Sequence, residues 1–410
     1  MTKTAVVGAG IVGICTAIAL ADRGHQVSLI DRKAPGSETS RWNAGVLATS
    51  SIIPINNPSL FPKLPGMLLG RYPGFRLNPK AAVTTIPWAA RFLRNALPAV
   101  SDRVSAALCD LIEHSRKCHA ELSERAGGEL WKSEGWLISY RGPDGFERAK
   151  AHADLLERRG VRTRPLQTEE IAKVEPALLG VFTGAVHVCD SMHTDPKTLL
   201  AAYLRLAKNL GVTVIKDTVL DVTPNSAGVS LRLQMDGVAE FNNVVLTAGP
   251  WTNSLLAKLG MKIPLAIERG YLQKFPTKSA LTRPFFDADG GYVASPRSGG
   301  VQISSGTELT TLATPPDLNQ FTKAVAFARD AIDLGTAVQP KVAVGNRPTL
   351  PDSLPVIGPI GRVPGLWIAA GHQHVGLSTS AGTADLLACL MCNSLPRIDE
   401  SPFNPKRFGL

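Results

Sequence analysis

The stretch Thr4–Arg32, TAVVGAGIVGICTAIALADRGHQVSLIDR, constrains this chain more than any other. Ala5, Val6 and Val7 make a short apolar run that suits a buried strand. Gly8, Gly10 and Gly13 follow as GxGxxG, with Ile11 and Val12 between the last two. An amphipathic run carrying Ile14, Ala17, Ile18 and Ala21 then stops at Gly24, as a helix would. A second apolar strand, 26–30, ends in Asp31, eighteen residues past Gly13. Strand, glycine turn, helix, strand and acid in this order form a dinucleotide-binding fingerprint. Gly8 permits the tight turn. Gly10 lets backbone N–H groups approach a pyrophosphate at a helix N-terminus, and Gly13 lets the helix pack close on the strand. Ile11 and Val12 join this candidate set. Asp31 accepts hydrogen bonds from both hydroxyls of an adenosine ribose, with Arg32 beside it. That carboxylate disfavours a 2′-phosphate and with it NADP, while FAD and NAD both stay open.

A chain of 410 residues is long enough for two domains with large cores. Its 44% hydrophobic and 19% charged residues are those of a globular protein. The formal net charge of +10 admits an acidic partner, but there is no dense Lys/Arg run and no nucleic-acid motif. A basic solvated surface and no nucleic-acid partner are the reading. No apolar run reaches the ~18 residues of a membrane span, and the chain enters a strand at once, which leaves no room for a signal peptide. Six cysteines with no paired framework fit a reduced, cytoplasmic setting, with peripheral contact on the inner membrane face left open. Cys389 and Cys392 form a CxxC inside the apolar helical run LLACLM and read as core thiols.

Asn43-Ala44-Gly45 lies in a loop of small polar residues and suggests backbone close to a ligand. From Ile52 to Phe75 the chain is apolar and broken by Pro54, Pro58, Pro62, Pro65 and Pro73, so it cannot be a long helix. It reads as an active-site cover or a contact surface. Helices are expected at 87–97, with Pro87 in the first turn, at 104–122, at 145–159 and after Asp195-Pro196. A strand over 241–246 runs into Thr247-Ala248-Gly249, and small residues there suit close approach by a cofactor. A last buried strand, 366–370, meets Gly371-His372-Gln373-His374-Val375-Gly376, and a final helix covers 380–391. The fold class is α/β, with a Rossmann-like nucleotide domain in three pieces, 1–50, 186–260 and 340–410. The substrate domain takes 51–185 and 261–339.

Two sites carry the expected chemistry. Arg347 follows an expected strand, 341–345, and opens RPTLPDSLPVIG. Its guanidinium fork would grip a carboxylate bidentately; the alternative is an ion pair with Asp352. The turn from Gly371 to Gly376 offers N–H groups and a helix dipole to negative charge. Gly376, Leu377, Ser378 and Thr379 would face the N1/O2 edge of a reduced flavin. Metal binding is not supported: His187, Asp190 and His193 cluster only loosely, in a loop.

These pieces resemble the FAD-dependent D-amino acid oxidase group, most of all its D-amino acid dehydrogenase branch, with glycine and sarcosine oxidases as near relatives. The resemblance rests on VVGAGIVGICTAIAL…VSLID, ETSRWNAG, VVLTAGPWTNSLLAKLG, RPTLPDSLPVIGP and WIAAGHQHVGLSTSAGTADLLA. It implies a large mixed sheet covering the flavin face. It implies that Gly8, Gly10 and Gly13 hold the pyrophosphate and Asp31 the ribose. Ser40, Asn43, Ala44 and Gly45 would line the flavin, Val219 would meet the adenine, and Ala248 and Gly249 would lie along the cofactor. Arg347 would bind the substrate carboxylate. Many relatives carry Gly or Arg where this chain has His374, so His374 is expected to shape the substrate pocket. Some sarcosine oxidases attach flavin to a cysteine near the C-terminal part of the chain; Cys389 and Cys392 sit inside a helix, so FAD is expected to be non-covalent. The implied reaction is oxidation of a D-amino acid or cyclic imino acid, by hydride transfer from the α-carbon to flavin N5. Tyr271 and Tyr292 would close over the substrate. A quinone or another electron-transfer partner is one expected acceptor, and oxygen, as in glycine or sarcosine oxidase, is the alternative.

Overall fold

The computed structural model describes residues 1–337, 339 and 341–410. Two sheets carry the architecture. The first has six strands in the order Val356–Pro359, Leu366–Ala370, Asn243–Leu246, Lys3–Val7, Gln26–Asp31 and Thr213–Lys216. Every neighbouring pair is parallel except the first, an antiparallel edge. A parallel sheet is covered on both faces, which is why Val6, Val245 and Ile368 are all fully buried. Helices Ile11–Ala21 and Gly376–Met391 pack on each other, and Pro98–Arg125 packs behind them. Gly382 permits that approach: a Cβ there would lie 2.9 Å from the backbone N of Ser115. Asp385 ties the three helices together, accepting from Arg23 at 2.7 Å and meeting His114 Nε2 at 2.8 Å. The His114 hydrogen bond, with help from Arg23, holds the Asp385 carboxyl down at about 2 despite its burial.

The second sheet has ten strands and lies over the carboxyl ends of the first. From Phe75–Leu77 it runs through Thr307–Thr310, Ala266–Phe275, Gly300–Ser305, Tyr292–Arg297, Phe285–Asp287, Trp136–Tyr140 and Gly184–Val188 to Thr163–Gln167, and Ala343–Thr349 pairs with Ala266–Phe275. This sheet takes in Gly184–Val188, which straddles the boundary expected at 186, and Ala343–Thr349, which lies inside the 340–410 segment expected to belong to the nucleotide domain; residue 340 itself lies outside the described residues. A three-stranded meander, Val219–Asn225, Gly228–Leu233 and Val238–Phe241, hangs beside the first sheet. Among the described residues no helix is long and apolar enough to cross a membrane.

The structure departs from the sequence reading in several elements: the strand expected over 241–246 is split into Val238–Phe241 and Asn243–Leu246, and the helix expected over 104–122 runs from Pro98 to Arg125. The helix expected from Pro87 begins at Pro79, so Pro87 is interior and one backbone hydrogen bond is forgone. The final helix starts at Gly376 rather than 380. The expected strand 341–345 is Ala343–Thr349, which places Arg347 within the strand instead of after it. From Ile52 to Phe75 the chain forms short turns, Pro58–Lys63 and Leu64–Leu68, as its prolines require.

The buried His119 is expected to contribute to acid sensitivity of the fold, alongside the likewise buried His372 and His374. His119, on Pro98–Arg125, donates from Nε2 to the Leu377 carbonyl at 3.0 Å and meets Tyr203 Oη through Nδ1 at 3.0 Å. Both contacts fit a neutral imidazole. Burial pushes its pKa down to about 4, against the lesser opposing effect of the Leu377 carbonyl. The unfolded chain takes up the proton near pH 6.5, so stability is full above that and falls as pH drops toward 4. At pH 5 this one group costs about 2 kcal/mol relative to pH 8. Thermal unfolding of the wild type and His119→Gln at the two pH values checks it. The variant is expected to be less stable throughout but to lose less on acidification; an equal loss would refute the assignment.

Candidate active site

Two cavities meet where the sheets face each other. The smaller, about 340 Å³, is lined by Gly8, Gly10, Ile11, Val12, Asp31, Arg32, Ser40, Val219, Ala248, Gly249 and Gly376. The glycines are required here by space. Gly8 has φ +112°, and a Cβ on it would lie 2.5 Å from the Thr247 carbonyl oxygen. A Cβ on Gly13 would lie 1.8 Å from the Gly8 carbonyl oxygen. Gly13 therefore works from beneath, by letting helix and strand close up, and does not itself line the cavity. Asp31 is set by two backbone donors, Ala9 N at 2.7 Å and Lys33 N at 2.9 Å. The Arg32 guanidinium lies 4.1 Å from the centre of the Trp251 ring, which forms the far wall near Val219.

The larger cavity, about 710 Å³, shares Ile11, Thr39, Ser40, Gln373 and Gly376 with the smaller one. The two together form one elongated space. At the junction the helix Gly376–Met391 begins with no side-chain cap, and Gly376, Leu377 and Ser378 line the cavity. Its free N–H groups and dipole favour negative charge there. Asn43 and Ala44 line the same cavity. Their carbonyls are held by the buried Arg297, at 3.3 and 2.8 Å, and by Gln302 Nε2 on Asn43 at 3.1 Å. Burial brings Arg297 down to about 10, although Asp195 opposes this. A buried arginine spent on two loop carbonyls fixes the shape of that wall.

Arg347 projects into the larger cavity from the edge strand. Its neighbour on the paired strand is Glu268, directly opposite in register. The guanidinium lies over Gly270, where a Cβ would come within 2.4 Å of Nη2. Its own hydrogen bonds are long: Nη1 reaches the Gly306 carbonyl and Thr307 Oγ1 at 3.5 Å each. Asp352, the expected alternative partner, is taken by Arg407 at 2.7 Å. Burial lowers the Arg347 pKa, and Glu268 counters that. Burial raises the Glu268 pKa, and Arg347 counters that in turn. His374 lines the same cavity with Nδ1 buried and without a hydrogen-bond partner among the described residues. Burial, then Arg347, brings its pKa down to about 4, so it is neutral at neutral pH. Much of the remaining wall is apolar, and a large part of it comes from the Pro-rich segment and the helix after it, including Leu60, Met67, Tyr72, Trp88 and Phe92. Trp88 and Phe92 stack at 4.7 Å.

Several expected site residues lie elsewhere. Tyr271 lines neither cavity. It shares a strand with Glu268 but sits three residues on, and side chains alternate along a strand. It thus points with Arg269 to the opposite face, where its hydroxyl meets Glu308 Oε2 at 2.5 Å and accepts from Asp317 N. Tyr292 does line the larger cavity, yet its hydroxyl is beside Asp287 and Arg141, and burial raises its pKa. Gly45, Gly371 and Thr379 line neither cavity. Gly45 has φ +76° and lets the loop approach the Thr194 carbonyl; Gly371 has φ +79° and abuts Leu350; Thr379 Oγ1 donates to the Val375 carbonyl. His187, Asp190 and His193 go separate ways, to the Glu134 carbonyl, to Arg162 and to the Glu134 carboxylate. Glu268, Gln373 and Arg297 were not singled out in the sequence. Only Gln373 had a local signal, since it lies between two histidines in the glycine turn and takes φ +49°.

The elongated space, its glycine cradle at one end and its uncapped helix at the junction fit a flavin dinucleotide, and define an oxidoreductase that depends on FAD. The chain belongs to the DAO family, described as FAD dependent oxidoreductase, whose model matches residues 3–390. A D-amino-acid oxidase of Bradyrhizobium diazoefficiens is 28% identical, with 98% of each chain covered. A D-amino acid dehydrogenase of the same organism is also 28% identical, covering 99% of each chain. Among solved structures, glycine oxidase from Geobacillus kaustophilus superposes with a TM-score of 0.76 at 21% identity, covering 98% of each chain. L-proline dehydrogenase from P. horikoshii also gives 0.76, at 18% identity, covering 99% of this chain and 97% of that one. These structural likenesses speak to fold.

Proposed function

We propose that this enzyme oxidises a D-amino acid or a cyclic imino acid, such as D-proline or a hydroxyproline, held by its carboxylate on Arg347. The observation that carries this reading is the guanidinium of Arg347. It lines the larger cavity together with the flavin-edge residues, and among the described residues its hydrogen-bond acceptors are no nearer than 3.5 Å. A carboxylate would supply the missing acceptors with fork-to-fork geometry. Gly8, Gly10, Asp31 and Ser40 would hold the dinucleotide end of FAD, and Asn43, Ala44, Gly376, Leu377 and Ser378 its ring, without covalent attachment. Bound FAD supplies the two-electron acceptor for the α-carbon's hydride. This chain's residues fix the substrate's pose and keep bulk water away, and the uncapped helix favours negative charge at the ring's edge. Support for non-covalent FAD is that no cysteine lines either cavity among the described residues. Cys389 and Cys392 instead approach Arg23 and His25.

The apolar wall supports a quinone, approached at a membrane surface, as the electron acceptor. Its outer side leaves Phe61, Leu68, Leu69 and Ile86 exposed, which is unusual for a solvated surface. The test is anaerobic bleaching of the visible flavin band by D-amino acids, D-proline, hydroxyprolines, glycine and sarcosine. Bleaching by D-amino or imino acids is expected; a yellow protein that none of them bleaches refutes the reading. Admitting air or a short-chain quinone to the bleached enzyme then separates the acceptors. Rapid return of colour with air alone, together with no sedimentation on anionic vesicles, would overturn the quinone reading in favour of an oxidase.

A further inference from the structure

We propose that Glu268 receives the substrate's amino group and accepts one of its protons. This inference rests on the reading of Arg347 as the carboxylate clamp and extends it. An α-amino acid carries an anion and a cation on one carbon. The cavity presents the complement, one guanidinium and one carboxyl, on directly opposed residues of two paired strands. Such residues point to the same face with their Cβ atoms about 5 Å apart. Glu268 lines the cavity and is only 3% exposed; the Thr349 hydroxyl is near enough to lower its pKa, yet neither Glu268 Oε2 nor Thr349 Oγ1 makes a hydrogen bond among the described residues. A buried carboxyl is ordinarily satisfied, and one left open beside a ligand cavity invites a donor from the ligand. The amino group of the substrate is such a donor.

The reaction needs that donor to lose a proton. Hydride can leave the α-carbon only when a lone pair on nitrogen assists, and an ammonium has none. In the proposed step an N–H bond of the ammonium breaks, its electron pair stays on nitrogen, and an O–H bond forms on Glu268. The proton returns to solvent after the product leaves. The raised pKa of Glu268 brings it closer to that of the donor, as proton transfer requires. Tyr72 and Tyr292 line the same cavity as titratable groups, both with pKa values raised by burial and so neutral. Arg347 faces Glu268 from Ala343–Thr349 and His374 from the turn before the final helix, while Lys63 lines the outer part of the same cavity. On the other neighbouring strand its partner is Leu309, which carries no charge. Glu308 and Arg269 belong to the opposite face, where Glu308 is engaged by Asn78, Arg269 and Tyr271.

The test compares wild type with Glu268→Gln, both loaded with FAD. The wild type is expected to show a limb in kcat/KM that falls toward acid as Glu268 is protonated. Glu268→Gln is expected to lose that limb and about a hundredfold in flavin reduction at neutral pH. Its rate is expected to recover with rising pH as the substrate's own ammonium titrates in solution, which a purely structural role would not produce. Two ligands without an α-hydrogen give a readout free of turnover. Binding of 2-aminoisobutyrate is expected to weaken at least tenfold in Glu268→Gln, while 2-hydroxyisobutyrate binds as before. An unchanged rate and limb, or equal losses for both ligands, overturns the proposal. If Glu268→Gln does not take up FAD, Glu268→Asp serves: it must keep the acid limb at a reduced rate, and loss of the limb refutes the role. Failure of the parent reading would look different, because no amino acid would then reduce the wild type.

Discussion

Gly13→Val is expected to give a colourless protein that takes up no FAD. The Cβ alone would lie 1.8 Å from the Gly8 carbonyl oxygen and 2.8 Å from Thr247 Oγ1. Neither neighbour can give way cheaply. The Gly8 carbonyl belongs to the turn that ends Lys3–Val7, and Gly8 N is itself bonded to the Ile30 carbonyl at 2.8 Å. Thr247 Oγ1 bridges the Val7 and Gly8 carbonyls at 3.1 and 2.8 Å. Relief must come from lifting Ile11–Ala21 off the sheet, and that moves the N–H groups meant for the pyrophosphate. Overpacking of this kind costs about 3 kcal/mol, and the cofactor site is lost with the geometry. Gly66→Ala is the matched control. Nothing lies within 4 Å of its Cβ position and its φ is ordinary, so it should bind FAD as wild type does. The visible flavin band and flavin fluorescence after gel filtration decide the matter. A yellow Gly13→Val of normal stoichiometry would refute the cradle.

That cradle was legible in the sequence because its parts are local. Strand, turn, helix and acid follow one another within thirty residues, and each glycine's job is set by its immediate neighbours. The final helix and the strand before it were legible for the same reason, although the helix begins four residues earlier than its apolar pattern suggested. Across the ten-stranded sheet, legibility fails at a definite point. Ala266–Phe275 could be recognised as a strand, but which alternate set of its side chains faces the flavin depends on register with strands up to some eighty residues away. Tyr271, with Tyr292, reads in the sequence as an aromatic that could close over the substrate. The register instead turns Glu268 and Gly270 inward and Tyr271 out, as a shift of one residue always does. Arg297 is a stronger case. Nothing near it in the chain hints that its guanidinium reaches back to the carbonyls of Asn43 and Ala44, more than 250 positions away. Pairing of distant segments decides that contact, and no local pattern encodes it.

Removing the fork from Arg347 should separate the two roles proposed for it, gripping a carboxylate and balancing Glu268. Arg347→Lys keeps the positive charge beside Glu268 but offers a point charge in place of two parallel donors. It should fold, bind FAD and lose about 2 kcal/mol of substrate affinity, near thirtyfold in KM, with a smaller loss in kcat. Arg347→Met is more severe. It removes the clamp and leaves the carboxyl of Glu268 in the cavity with no cation opposite it. A buried carboxylate left without a nearby positive charge is costly, and the protein relieves that cost by protonating it. The Glu268 pKa, already raised by burial, then rises further because the lowering effect of Arg347 has gone. Flavin reduction by amino acids should fall by about a thousandfold or more, since about 4 kcal/mol of positioning is lost with the clamp. Binding of 2-hydroxyisobutyrate, read from the flavin band, should be lost in Arg347→Met and weakened in Arg347→Lys. The same ligand should bind unchanged in Glu268→Gln, so the two residues are told apart by one titration. His374, neutral and adjacent, gains freedom to protonate once the arginine is gone, so its pKa should rise from about 4 in Arg347→Met, a shift visible by NMR of the labelled imidazole. If Arg347→Lys leaves both rate and affinity untouched, the carboxylate is held elsewhere and the assignment of this cavity as an amino-acid site falls with it.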